Sequence, residues 1–152
     1  QITLEDIPNI YRVNKRLVFT NGCFDIFHKG HVESLAASKN FGDILIVGLN
    51  SDKSIKRLKG KSRPIMDIEQ RLSVIGALEA VDYVIVFDED TPERLLGVVK
   101  PDVYVKGEEY RNKPLAGSEH SKRIEYIKFK TEISTTAIVN KLRNKVYLNN
   151  TL

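Results

Sequence analysis

The stretch Asp43-Ile44-Leu45-Ile46-Val47-Gly48-Leu49 is a near-continuous apolar run. It constrains the fold more than any other feature. A strand with one wet face alternates apolar and polar residues, so a run without alternation has to be covered on both faces, as in a parallel sheet between helices. Short apolar runs at 16–19, 83–87 and 102–105 repeat the theme, and 124–129 alternates as a strand exposed on one side does. Helix-compatible stretches lie between them. One covers 32–39. A second starts near Asp67, where Asp67 and Gln70 have capping-box spacing and Ile68, Leu72, Ile75 and Leu78 form an apolar stripe. A third is opened by Thr91-Pro92-Glu93, with Thr91 as cap and Pro92 in the first helical position, and a fourth is capped by Ser134 and carries Ile138 and Leu142. Alternation of this kind predicts an α/β fold, a doubly wound parallel sheet of five strands with right-handed crossovers. One domain over 1–152 is expected, with a short N-terminal extension and a polar tail, 146–152, that frays.

Hydrophobic residues at 41% and charged residues at 29% suit a soluble globular domain. No apolar run reaches transmembrane length and no signal-peptide pattern is present, so no membrane association is expected. The single cysteine, Cys23, excludes an internal disulfide and makes the cytoplasm the default compartment. The net charge of +4 suits a polyanionic ligand. Basic residues crowd 50–64, read as a loop, where Lys53, Lys56, Arg57, Lys59, Lys61 and Arg63 stand close together. That loop has no interleaved aromatic residue for stacking bases, so nucleic acid is not the expected partner; lysines there either face solvent or clamp phosphates.

The chemistry concentrates in Thr20-Asn21-Gly22-Cys23-Phe24-Asp25-Ile26-Phe27-His28-Lys29-Gly30-His31. A strand leading into a glycine-containing loop and a helix start directs backbone N–H groups and the positive helix end at an anion. Imidazoles three residues apart share a face, so both can reach one phosphoryl group and steady the charge that grows at a five-coordinate phosphorus. Cys23, Asp25, His28 and His31 are all zinc-ligand types, but no other cysteine exists and His120 lies in a polar stretch. A thiol nucleophile at Cys23 lacks any mark of a stabilised thiolate. Ser134-Thr135-Thr136 reads equally as a helix cap and as a nest for phosphate.

Together the motifs Asn21-Gly22-Cys23-Phe24-Asp25, His28-x-Gly30-His31 and Ile133-Ser134-Thr135-Thr136 resemble the cytidylyltransferase-type nucleotidyltransferases, over about residues 16–143. Within that family the chain looks most like the bacterial D-glycero-β-D-manno-heptose 1-phosphate adenylyltransferases, on stretches such as Lys56-Arg57-Leu58-Lys59-Gly60, Glu69-Gln70-Arg71, Glu89-Asp90-Thr91-Pro92, Val105-Lys106-Gly107 and Ala116-Gly117-Ser118-Glu119. The resemblance implies a Rossmann-like fold and transfer of AMP from ATP to a sugar 1-phosphate with release of pyrophosphate. It implies His28, His31 and Lys59 as catalytic, with Lys56, Lys61 and Arg71 on substrate phosphate. Nucleotide contacts would come from Asn21, Gly22, Cys23, Phe24, Asp25, Gly30, Lys106, Gly107, Glu108, Ser134, Thr135 and Thr136. Magnesium would arrive on the triphosphate, because no compact carboxylate cluster suggests a protein-held metal. A homodimer and a separate sugar kinase are further implications.

Two departures stand out. Lys130-Thr131-Glu132 runs straight into Ile133 where the cytidylyltransferase branch has Arg-Thr-Glu-Gly, and Glu108-Glu109 follows Lys106-Gly107 where the heptose relatives often have Gly-Asp. Two alternatives stay open at this point: a cytidylyltransferase making a CDP-alcohol such as CDP-glycerol, and a nucleotide-binding module without turnover.

Overall fold

The run around Val47 forms the second of five parallel strands: β1 (Leu17–Gly22), β2 (Ile44–Asn50), β3 (Tyr83–Phe87), β4 (Val103–Gly107) and β5 (Arg123–Ile127). Every residue of β2 is buried. This computed structural model describes residues 1–10, 12–128 and 135–149. The strand order is β3-β2-β1-β4-β5. The chain therefore builds outward from β1 to β3, then returns to the other side of β1 with β4, and the order reverses between β1 and β4. A sheet of this type opens a crevice at the carboxyl ends of its strands at that switch.

Five helices complete the layers: α1 (Lys29–Lys39), α2 (Asp52–Lys59), α3 (Ile68–Gly76), α4 (Glu93–Val99) and α5 (Thr135–Asn149). Successive strand residues point to opposite faces, so Val18 enters one core and Phe19 the other. Leu35 of α1 and Ile75 of α3 close the first core over Leu45, Val47 and Val84. Leu95, Leu96 and Val99 of α4 close the second over Ile46, Ile85 and Tyr104. Each fully buried Leu or Ile contributes roughly 1.5–3 kcal/mol. The N-terminal extension belongs to this second core: Ile7 and Ile10 are buried in it, and the Ile2 N–H donates to the Val84 carbonyl at 3.0 Å.

Several boundaries differ from expectation. The basic segment is helical as α2, because Ser51 caps it by accepting the Ser54 N–H at 3.1 Å and Ile55 is buried. Gly60 ends it at φ 94, a backbone conformation open to glycine. Helix α1 starts at Lys29. In α4 it is the Pro92 carbonyl that starts the ladder, accepting the Leu96 N–H at 2.8 Å, which puts Pro92 at the cap and Thr91 outside. Asp67 does cap α3, while the Gln70 side chain bonds its carboxylate at 3.1 Å. Helix α5 continues to Asn149, into the tail expected to fray. Ser134 lies outside the described residues.

At the amino ends of the strands, three carboxylates tie neighbours together. Asp43 accepts the Arg16 N–H at 2.7 Å, Asp82 the Leu45 N–H at 2.7 Å and Asp102 the Leu17 N–H at 2.8 Å. Lys39 pairs with Asp82, and Lys122 with Asp102 at 2.6 Å. Among the described residues no helix is long and apolar enough to cross a membrane.

Candidate active site

Where β1 ends, the backbone turns through Phe24 and Ile26, each at φ 48. That region is rare for a β-branched residue and persists only when its surroundings hold it. Asp25, between the two, is the fastening. Its carboxylate, 3% exposed, accepts the Ile65 and Met66 N–H groups at 3.0 Å each and the Arg63 guanidinium at 2.7 Å. Burial alone would raise its pKa; the two N–H groups and Arg63 outweigh it and hold the carboxyl below its ordinary value. The Asp25 carbonyl accepts the Thr135 hydroxyl at 2.5 Å, which ties the first turn of α5 to the same loop.

Arg71 fastens the loop from beneath. It is 1% exposed and donates to the carbonyls of Cys23 (2.8 Å), Asn50 (2.8 Å) and Met66 (3.0 Å) and to the Asp52 carboxylate (2.6 Å). The expectation that Arg71 meets substrate phosphate is corrected by this geometry, since its guanidinium is enclosed and its donors are engaged. Asp25 likewise has its carboxylate engaged by the protein.

His28 sits at the cap of α1 with extended backbone and His31 in the first turn. Their rings stack, with centroids 3.8 Å apart and planes at 21°. Phe24 and Phe27 flank His31 at 5.2 and 5.3 Å. The His28 backbone N–H points at His31 Nδ1 from 3.4 Å, which leaves the Nε2 of a neutral His31 as the proton carrier. Burial, then His28 and Lys59, pull the His31 pKa down to about 4, and burial lowers that of His28. Both rings are therefore neutral N–H donors at pH 7. His28 Nδ1 is buried with no partner among the described residues.

The histidines face a cavity of about 370 Å³ at the β1–β4 switch, within the range of ligand sites. On the β2 side stands Lys59, at the last turn of α2. Thr135 and Thr136 bring the positive end of α5. On the β4 side lie Lys106, Gly107, Glu109 and Tyr110. Lys106 donates to Asn21 Oδ1 at 3.2 Å, the oxygen that also accepts the Tyr104 hydroxyl at 2.9 Å, and its ammonium lies 4.4 Å from the Tyr110 ring centre. Burial brings its pKa down to about 8 against the pull of Glu109 and Cys23. Burial pushes the Cys23 thiol up, which keeps it protonated.

Most expected residues thus meet at one cavity: Asn21, Gly22, Cys23, Phe24, Asp25, His28, Gly30, His31, Lys59, Lys106, Gly107, Thr135 and Thr136 all line it. Three more do not. Lys56 and Lys61 are exposed away from the lining, so of the three candidate lysines Lys59 alone contributes. Glu108 turns outward, where Arg111 holds both its oxygens at 2.5 and 2.7 Å. The lining also includes Thr20, Ser34, Glu109 and Tyr110, to which sequence reasoning gave no site role, although Thr20 opens the histidine segment and Glu109 belongs to a departure noted there. Ser34 had a signal, lying three residues beyond His31 on the same helix face. Glu109 and Tyr110 had only their place just after a strand. Among the described residues no three His, Cys, Asp or Glu side chains converge to hold a metal.

The chain has relatives among known proteins. It is 52% identical over 136 residues to the bifunctional protein HldE of a Nitratiruptor species, covering 90% of this chain and 29% of that protein. It is 50% identical over 137 residues to the bifunctional protein HldE of Helicobacter pylori, covering 90% and 30%. The chain thus spans less than a third of the length of these relatives. Among solved structures it resembles the lipopolysaccharide core biosynthesis protein of Thermoplasma volcanium, with a TM-score of 0.61 and 32% identity over 78% of this chain and 99% of that one. Pantoate-beta-alanine ligase from Francisella tularensis shares the fold, with a TM-score of 0.59 at 14% identity over 95% of this chain and 74% of that one. The cytidylyltransferase-like family model matches residues 19–141, and the chain belongs to that family.

Proposed function

We propose that the chain transfers AMP from ATP to a sugar 1-phosphate, a heptose 1-phosphate by its resemblance, giving an ADP-sugar and pyrophosphate. The observation that carries this is the stacked pair of neutral imidazoles across the cavity from Lys59 and the first turn of α5. In the reaction an oxygen of the acceptor phosphate forms a new bond to the α-phosphorus, the α–β bridging bond breaks, and its electron pair leaves with pyrophosphate. The attacking oxygen is already anionic, so no general base is required. What the site has to supply is alignment and donors for the charge that builds on the α-phosphate oxygens. His28 and His31 would give N–H donors there, and Lys59 with Thr135 and Thr136 would hold the departing phosphates. The Asp25 carboxylate is engaged by Arg63, Ile65 and Met66, so Mg²⁺ would enter with the triphosphate and keep phosphate and water ligands.

The names of the relatives support this reading, two being bifunctional proteins and one a lipopolysaccharide core biosynthesis protein. A separate sugar kinase that phosphorylates the anomeric hydroxyl would supply such a sugar 1-phosphate, and it is the expected upstream partner. A cytoplasmic homodimer is the expected state, checkable by light scattering. The decisive experiment is pyrophosphate release across a grid of ATP, CTP, GTP and UTP against sugar 1-phosphates and alcohol phosphates. Release with ATP and a sugar 1-phosphate is the expected result. Release with CTP and glycerol phosphate alone, or none with any pair, would overturn it.

A further inference from the structure

The turn after β4 sends two adjacent carboxylates in opposite directions. Glu108 turns out and is neutralised by the fork of Arg111. Glu109 turns into the cavity wall and makes no hydrogen bond or ion pair among the described residues. The backbone makes room for it. Gly107 has φ −66 and ψ 152, which any residue adopts, so glycine is not needed there for conformation. What it leaves is space: the three atoms nearest to a Cβ at 107 would all belong to the Glu109 carboxylate, with Cδ at 2.6 Å, so a Cβ there would push that side chain aside.

This carboxylate stands in a cavity otherwise equipped for anions. Lys59 lies on the β2 side of β1, and the histidines and the α5 terminus adjoin it. Glu109 lies on the β4 side beside Tyr110. An unpaired carboxylate repels phosphate at this range and accepts hydrogen bonds from uncharged O–H and N–H groups. The β4 side therefore holds the Lys106 ammonium, whose charge Glu109 favours, together with a carboxylate free to accept hydrogen bonds from neutral donors.

We propose that Glu109 is a specificity-determining residue, accepting hydrogen bonds from uncharged donors of a substrate, either hydroxyls of the acceptor sugar or the exocyclic amine of the nucleotide base. The proposal rests on the nucleotidyl-transfer reading above, and its test separates from that reading by measuring binding without turnover. In one arm, calorimetry compares ATP with inosine triphosphate, which carries a carbonyl in place of the amine. In the other, enzyme saturated with a non-hydrolysable ATP analogue is titrated with a sugar 1-phosphate and its monodeoxy analogues. Glu109→Gln and Glu109→Ala should weaken binding about 10- to 100-fold in one arm, the range for a hydrogen bond to a charged group. The loss should vanish when the ligand lacks the relevant donor, which also tells the two sources apart. Gly107→Ala, by displacing the carboxylate, should reproduce it. Equal losses for ligands with and without the donor, or no loss in either arm, would overturn the proposal. If no sugar 1-phosphate binds, the nucleotide arm decides alone. Failure of the wild type to form any sugar nucleotide would instead overturn the proposed reaction and leave the binding result standing.

Discussion

At the amino ends of the strands, Asp43, Asp82 and Asp102 each accept a backbone N–H from a neighbouring strand, and Lys39 and Lys122 neutralise two of them. At the carboxyl ends, the ionisable groups are placed very differently. His28 and His31 stack against each other, Lys59 faces a cavity, and Glu109 is unpaired among the described residues. The same sheet thus has one end where polar groups satisfy the protein and one where they await something else. Asp25 and Arg71 show how the second end is made possible. Both are buried, and both use their polar atoms to hold the loop that presents the histidines.

The largest effect that would break this comparison comes from the histidines. Replacing His28 or His31 by alanine should lower kcat for pyrophosphate release about 10²- to 10³-fold, the range for one donor to a developing charge. ATP affinity should change only a few-fold and the circular dichroism spectrum should be retained. Parallel losses in affinity and turnover would mean that the rings only hold substrate.

Next come the lysines, which sharpen the comparison residue by residue. Lys59→Ala should reduce kcat/KM about 10- to 100-fold, as expected for a charge-assisted contact with phosphate. Lys56→Ala and Lys61→Ala should stay within about two-fold, since neither lines the cavity. Three equal effects would point to a diffuse field instead of a placed cation.

This is also where sequence and structure part company. The sheet was legible because burial on both faces leaves an unbroken apolar run, as in β2, and because caps such as Asp67 advertise helix starts. That the residues around the histidines gather at one cavity was legible because glycine, histidine and hydroxyl residues cluster at strand–helix junctions. What pattern could not show is direction. Lys56, Lys59 and Lys61 look alike in sequence, and only the winding of α2 decides which one reaches the cavity. The helix itself was hidden by its charge, although Ser51 was available as a cap. Arg71 read as a ligand for substrate phosphate because nothing local reveals that the carbonyls of Cys23 and Asn50, from distant segments, converge on it with that of Met66. Glu108 and Glu109 are adjacent and chemically identical, yet a single tight turn sends them to opposite sides.

Breaking the other end should cost stability and leave the chemistry alone. Asp102→Ala removes the acceptor of the Leu17 N–H and the partner of Lys122. Leaving a partly buried donor unmade costs about 1–3 kcal/mol, which in a domain of this size is roughly 2–4 °C in Tm per kcal/mol. Thermal melts should show that drop while kcat at 25 °C keeps its wild-type value. A loss of kcat with unchanged Tm would mean that the two ends are coupled through the sheet.

The most gradual effect is a pH dependence that separates the ends within one titration. His31 has an ordinary pKa of 6.5 when unfolded and about 4 in the fold, lowered first by burial. Between those values the unfolded chain binds the extra proton, so stability rises with pH across that window. The contribution is whole above about pH 6.5 and is lost as pH falls towards 4. Asp102 follows a lower window. Burial would raise its pKa, but Lys122 and the Leu17 N–H hold it below 3.8, so its contribution is present above 3.8 and lost as pH falls through its folded value. Melts from pH 3 to 8 should therefore show two descending limbs, and His31→Gln should flatten only the upper one. The site end then loosens first on acidification, because burial, His28 and Lys59 outweigh the pull of Asp25 on the charged form of His31. A triphosphate would supply a counter-charge, raise the His31 pKa and make ATP binding take up a proton between pH 4 and 6.5. Calorimetry in buffers of different ionisation enthalpy reads that uptake directly, and its absence would place His31 away from the phosphates.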